Sequence, residues 1–382
     1  MRKNAPSVRF ADSSPALRWS TFARSSSTAQ RGRWIGAKRR DGGGVAPHRT
    51  LQALIAILAV LATPVPAFAW GSSGHRMVGE IAVRALPGET PAFLRTRAAA
   101  LAVGELSREP DRSRDAGEIH DADRDPGHFL DVSDDGSVMG GPRLDALPKT
   151  RAAYEAALRT AGTDSWQAGY LPYAIVDRWQ QLRKDFAYWR VLSAAERNPA
   201  WARNRAWFAL DRARREAQIL EHVGELSHFV GDGAQPLHVT MHFNGWGDYP
   251  NPRGYSQQKL HGPFEGALVR ARVRPQAAAA RLAPLRLCEC SIEQRTAQYL
   301  EATSRLVIPF YELEKDGGLT DGDPRGAAFA RDQLARGASE LRDQIVEAWR
   351  ASADQAVGWK PVRPADVAAG RVDPFPALYG SD

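Results

Sequence analysis

Residues 219–238 read ILEHVGELSHFVGDGAQPLH, and this stretch decides the fold class. Ile219, Leu220, Val223, Leu226, Phe229 and Val230 recur at three- and four-residue intervals, the spacing of one face of an α-helix. The pattern predicts a helix over residues 205–232. Residues 329–359 repeat it through Leu334, Ala338, Leu341, Ile345 and Trp349. Residues 292–314 do so through Tyr299, Leu300, Leu306, Val307 and Phe310. No sustained strand-type alternation interrupts these runs, and no repeat period emerges. Long helices with polar outer faces predict an all-α, bundle-like fold in a single large helical domain. Residues 232–260 form a long loop rich in Gly, Pro and aromatics, and such loops are functional more often than idle. From residue 360 the chain reads KPVRPADVAAGRVDPFPALYGSD, which predicts a Pro-rich, irregular tail.

The 382 residues carry 51 Lys+Arg against 44 Asp+Glu, for a pI near 9.6. That balance suggests a basic nucleic-acid binder, but the charge is unevenly placed. Residues 1–50 hold eleven Lys/Arg and two Asp, and residues 51–69 hold no charged residue. From Trp70 onward the count is therefore 51 − 11 = 40 positive and 44 − 2 = 42 negative, a net of −2. A general electrostatic attraction for polyanions loses its main support.

Residues 51–69, LQALIAILAVLATPVPAFA, are apolar and end in Ala67-Phe68-Ala69, the small-x-small pattern of signal cleavage. Pro64 and Pro66 break the run too early to favour a spanning helix. The expectation is a basic leader over 1–50, a signal region over 51–69, and export to the periplasm or beyond after cutting between Ala69 and Trp70. The working domain is then 70–359, followed by the tail 360–382. Cys288 and Cys290 are the only two cysteines. So close a pair cannot staple distant loops, and either a local link or free thiols fit the spacing.

Eight of the nine histidines follow residue 69, several beside carboxylates. His228-x-x-x-Asp232 places both side chains on one helical face, one turn apart. His238 follows in Gln235-Pro236-Leu237-His238, and His261-x-x-x-Glu265 is a second pair of the same kind. His128 sits in His128-Phe129-Leu130-Asp131, and His75 lies five residues past Trp70. Imidazole with carboxylate is a zinc ligand set, while the scarcity of thiols argues against a structural zinc finger. The set exceeds one tetrahedral site, so more than one ion is implied. His120 and His242 read as spare surface histidines, and His222, off the His228 face, as structural.

Trp70-Gly71 with His75, His228-x-x-x-Asp232 followed by Gln-Pro-Leu-His238, and His261-x-x-x-Glu265 together resemble the zinc-dependent single-strand nuclease and phospholipase C superfamily. The resemblance covers residues 70–265 and implies three zinc ions. Asp111, His128, His228 and Asp232 would hold one; His238, His261 and Glu265 a second. The α-amine and carbonyl of Trp70, with His75 and Asp232, would hold the third, so that Asp232 bridges two ions and signal cleavage becomes an activation step. Asp115 is the other candidate for the Asp111 position. Two metals roughly 3.5–4 Å apart can clamp the attacking and leaving oxygens of a phosphodiester. Zinc brings bound water to a pKa of about 7. Asp111 would orient the resulting hydroxide.

Four features resemble the nuclease branch: the short Trp70–His75 interval, the 261 − 238 = 23-residue interval between two ligands, Arg114 three after Asp111, and the His128–Asp131 run. By that resemblance Arg114 stabilises the phosphorane, Phe129 stacks on a base and Asp131 bonds its edge. Core packing is the other reading of Phe129. Glu265 matches the phospholipase form instead, and the paired disulfides of eukaryotic nucleases are absent. Trp246, Tyr249 and Tyr255 could stack on bases, dip into lipid, or pack their loop down. The expectation is an exported trinuclear zinc phosphodiesterase acting on single-stranded nucleic acid or nucleotides. A phospholipase C taking a phospholipid head group is the alternative, and a non-catalytic zinc-binding envelope protein the third reading. Nothing in the pattern calls for an obligate protein partner.

Overall fold

The computed structural model describes residues 70–380, which belong to one compact unit. The leader and signal region expected over 1–69 lie outside the described residues. Among the described residues, eight helices are nine residues or longer. They are α1 (Gly71–Arg84), α2 (Arg97–Leu106), α3 (Arg151–Thr160), α4 (Leu171–Arg197), α5 (Arg205–Ala234), α6 (Ile292–Ser304), α7 (Val307–Lys315) and α8 (Pro324–Ala351). Only isolated β-bridges occur between them, so the fold is all-α, as the periodicity predicts. No described helix is long and apolar enough to cross a membrane.

Local chemistry sets the helix starts. Thr96 caps α2 by accepting from the Ala99 amide, and Ser291 with Gln294 forms a reciprocal capping box on α6. Asp323 caps α8 ahead of Pro324, whose missing amide proton is harmless in a first turn. α4 and α5 form an antiparallel hairpin, tied by Arg212 to Glu196 at 2.6 Å and Arg178 to Glu225 at 3.0 Å. α8 lies against both, where the Trp179 indole donates to the Gln344 carbonyl at 2.9 Å and the Arg190 guanidinium sits 3.3 Å from the Trp349 ring centroid.

Three expectations need correction. The helix read over 292–314 is broken at Arg305-Leu306, because Pro309 cannot donate to the Arg305 carbonyl. The run through Trp359 ends at Ala351, and Trp359 is exposed. Beyond it Val357 and Val362 exchange backbone hydrogen bonds, which turns the chain back on itself. The tail is not merely irregular: it forms short helices at Pro364–Ala368 and Phe375–Tyr379. Val362, Val367 and Ala377 then close a second apolar cluster over Val191, Leu192 and Phe208. The sequence reading also passed over α4, whose apolar residues do not gather on one stripe because it is buried from several sides.

Candidate metal centre

The C-terminal turns of α5 are buried against α1 and α2, and glycines make that approach possible. A Cβ at Gly224 would lie 2.5 Å from Leu106 Cβ, and one at Gly231 would lie 3.1 Å from His75 Nδ1. With both absent, the end of α2 reaches α5, and the Ser107 carbonyl accepts from His228 Nδ1 at 2.9 Å. The His75 ring stacks on His228 at 4.0 Å between centroids. Trp70 is seated against the same turn, its indole donating to the Gly231 carbonyl at 2.6 Å.

Three groups of ligand atoms converge: His75, His228 and Asp232; Asp111, His128 and His228; His238, His261 and Glu265. Asp232 Oδ1 lies 3.5 Å from His75 Nε2, and its Oδ2 3.3 Å from His228 Nε2. Asp111 Oδ1 is 4.0 Å from the Nε2 atoms of both His128 and His228. Glu265 Oε2 is 2.8 Å from His261 Nε2 and 3.5 Å from His238 Nε2, and the two imidazole nitrogens are 3.0 Å apart. Ligands held at 2.0–2.1 Å around a tetrahedral zinc stand about 3.3–3.4 Å from one another. The observed separations bracket that edge.

The outer nitrogens fix which ring atoms point inward. His128 Nδ1 donates to the Asp125 carbonyl at 3.0 Å, and His238 Nδ1 donates to the His128 carbonyl at 2.6 Å. A carbonyl can only accept, so each Nδ1 carries a proton and each Nε2 is the nitrogen turned toward the cluster. Among the described residues, the buried Asp111 Oδ1, His128 Nε2, His228 Nε2, Glu265 Oε1 and both Asp232 oxygens have no hydrogen-bond partner. So many inward-facing acceptors repel unless a cation or protons lie between them. The donor set therefore fits metal ions.

The electrostatics carry the same demand. Burial works against a charged His228, yet Asp232 and Asp111 outweigh it and raise its pKa. Burial likewise opposes His238, but Asp232 and Glu265 lift it to about 9. His128 lies well below its usual range through burial, with His228 and Arg114 adding to the effect. Asp111 is raised by burial and by the like charges of Asp232 and Glu265.

A cavity of about 420 Å³ opens beside the cluster, walled by Arg114, Phe129, Asp131, His238 and His261. Arg114 Nε is 3.4 Å from Asp111 Oδ1, and burial pushes the Asp131 carboxyl up to about 8. Asp115 is exposed and outside the convergent groups, whereas Asp111 is within one. Trp246 and Tyr255 pack their loop down, and Tyr311 donates to the His242 carbonyl at 2.6 Å. His242 corrects the surface expectation: it is buried, stacked 3.7 Å from Trp246 and bonded to Asp134. His120 stays partly exposed beside Asp121, and His222 pairs with Asp185 between α4 and α5. Cys288 and Cys290 are joined to each other, a local link far along the chain from every ligand.

Sequence reasoning missed Trp166 and Phe243, which also line the cavity and are 55% and 48% exposed. Their exposure would have been the signal, and no local pattern carries it. It also gave no role to Gln235, whose Nε2 donates to Glu265 Oε2 at 3.3 Å while its Oε1 accepts from the Leu237 amide. No protein-family model matches the chain, and a search of curated proteins likewise returns no match.

Proposed function

We propose that this chain is an exported, zinc-dependent phosphodiesterase that hydrolyses single-stranded nucleic acid, with 3′-nucleotides as a further substrate. The observation that carries the reading is the carboxylate of Asp232, whose oxygens face two different histidines inside a buried cluster that borders an aromatic-lined cavity. Asp111, His128, His228 and Asp232 would hold one zinc, His75 with Asp232 and the Trp70 terminus another, and His238, His261 and Glu265 the third. Zinc bound there would supply a water acidified to a pKa of about 7 and positive charge for the phosphodiester.

The protein's own groups do the remaining work. Asp111 would accept a hydrogen bond from the nucleophile and so orient it, while Asp232 would hold the two ions in place. Arg114, at the cavity wall beside Asp111, gives its fork of N–H donors to phosphate oxygens as charge builds. Phe129, Trp166 and Phe243 offer ring faces to unpaired bases, which a duplex would keep stacked away. Asp131 holds its proton near neutral pH through burial, so it can both donate to and accept from a base edge.

Protein beginning at Trp70 should be assayed on single-stranded DNA, RNA and phosphatidylcholine vesicles side by side. Cleavage of the nucleic acids, abolished by a chelator, is expected. Turnover of the lipid alone would overturn the nuclease reading in favour of a phospholipase C.

A further inference from the structure

α1 has two working faces. His75 points one way, toward Asp232. Ser73, Arg76, Met77, Glu80, Ile81 and Arg84 line a groove of about 760 Å³ on the other. The opposite wall is the Val269–Arg272 helix and the Pro275–Ala279 turn, which continue the segment carrying His261 and Glu265. The groove is thus built from the reverse sides of two elements that carry ligand residues.

Its floor is apolar: Met77, Ile81, Val269 and Val273 are each buried. Its rim is cationic. Arg76, Arg84, Arg97, Arg270 and Arg274 stand there against a single carboxylate, Glu80. Two of the five are engaged, Arg76 by Glu105 at 2.5 Å and Arg84 by Glu80 at 3.3 Å. Among the described residues no ion pair engages Arg97, Arg270 or Arg274, and all three are exposed. In a domain whose net charge from Trp70 onward is −2, three uncompensated guanidinium groups around one groove are a local field.

We infer that this groove binds the phosphodiester backbone of a nucleic-acid strand outside the metal centre. Guanidinium forks match phosphate oxygens in pairs, and a concave cationic channel tracks a strand. An anionic membrane fits less well, because a bilayer is met by exposed apolar side chains and none of the large exposed hydrophobics lines this groove. The choice of nucleic acid as the polyanion rests on the nuclease reading; the anion site itself rests on the arginines.

The test is binding of a fluorescent phosphorothioate oligothymidylate, whose backbone keeps its charge and resists cleavage, to the metal-loaded protein over a range of salt. The comparison is the triple variant R97E/R270E/R274E, with R270A/R274A as a milder pair that adds no negative charge. Each neutralised phosphate contributes about 0.7 to the logarithmic salt slope, so loss of three contacts lowers it by about 2 and weakens binding about tenfold or more. Hydrolysis of a dinucleotide, too short to reach the groove, should be unchanged. Equal oligothymidylate affinity in wild type and both variants would overturn the inference, as would loss of phosphatidylglycerol-vesicle binding with oligothymidylate binding intact. Arginine-dependent binding without any cleavage of unmodified oligothymidylate would sink the nuclease reading and leave the groove standing. Cleavage with arginine-independent binding would do the reverse.

Discussion

Asp232 lies one helical turn beyond His228 on α5, with Oδ2 3.3 Å from His228 Nε2. Its other oxygen faces His75 on α1 at 3.5 Å. One carboxylate therefore addresses two helices, and neither of its oxygens accepts a hydrogen bond among the described residues. A bridging ligand requires this arrangement. Replacing Asp232 by Asn substitutes a donor for one of the acceptors and removes the charge. D232N is expected to lose at least one bound metal, measured by elemental analysis, and to lower turnover about a thousandfold, beyond the 10–100-fold typical of outer-shell changes. Full metal content in D232N would show that the two histidines bind without it.

The close approach of α2 to α5 is a second point of attack. Any side chain at Gly224 meets Leu106, whose neighbour Ser107 orients His228. G224V should cost about 1–3 kcal/mol in chemical denaturation and weaken metal retention as well. A destabilised G224V with unaltered metal affinity would separate the packing from the ligand geometry.

Stability should also depend on pH through a pair that is not among the ligands. Asp185 is fully buried between α4 and α5, where it meets His222 at 2.5 Å and Arg215 at 2.7 Å. The hydrogen bond to Asp185 raises the His222 pKa, burial opposes it, Glu225 adds to it and Arg178 subtracts. A raised folded-state pKa means the stabilisation is complete below the ordinary histidine value, about 6.5, and is lost as pH rises through the folded value. The stability difference between metal-loaded wild type and H222Q should therefore be largest near pH 6, about 1 kcal/mol, and shrink toward pH 9. A constant difference across that range would assign His222 a packing role only.

The cavity's aromatic wall predicts a binding effect rather than a chemical one. Phe129 and Trp166 flank the same space beside His128. F129A and W166A should each raise KM for a single-stranded oligonucleotide about tenfold, the equivalent of one lost base stack, with kcat and metal content little changed. A fall in kcat at constant KM would instead place these rings in the chemistry.

Much of this was legible in the primary structure because helical spacing is strict. His228 and Asp232 share a face by arithmetic alone, and so do His261 and Glu265. The convergence of α1, α2 and the 261–265 turn on that face was not legible, since it depends on Gly224 and Gly231 admitting neighbours tens of residues away. The acceptors that orient the imidazoles are backbone carbonyls of Ser107, Asp125 and His128, and a carbonyl has no sequence signature. Trp166 comes from a short helix, Ser165–Ala168, and Phe243 from a separate loop, so nothing local links them to the ligands. The break before α7 was readable in Pro309, whereas α4 hid because its burial on several sides blurs the helical stripe.

The most direct measurement is the metal content of purified protein beginning at Trp70, determined by elemental analysis after exhaustive dialysis against metal-free buffer. Three zinc ions per chain, falling to two when one extra residue precedes Trp70, is the predicted result. Fewer than two per chain, or a count indifferent to the N-terminus and to D232N, would contradict a trinuclear centre bridged by Asp232.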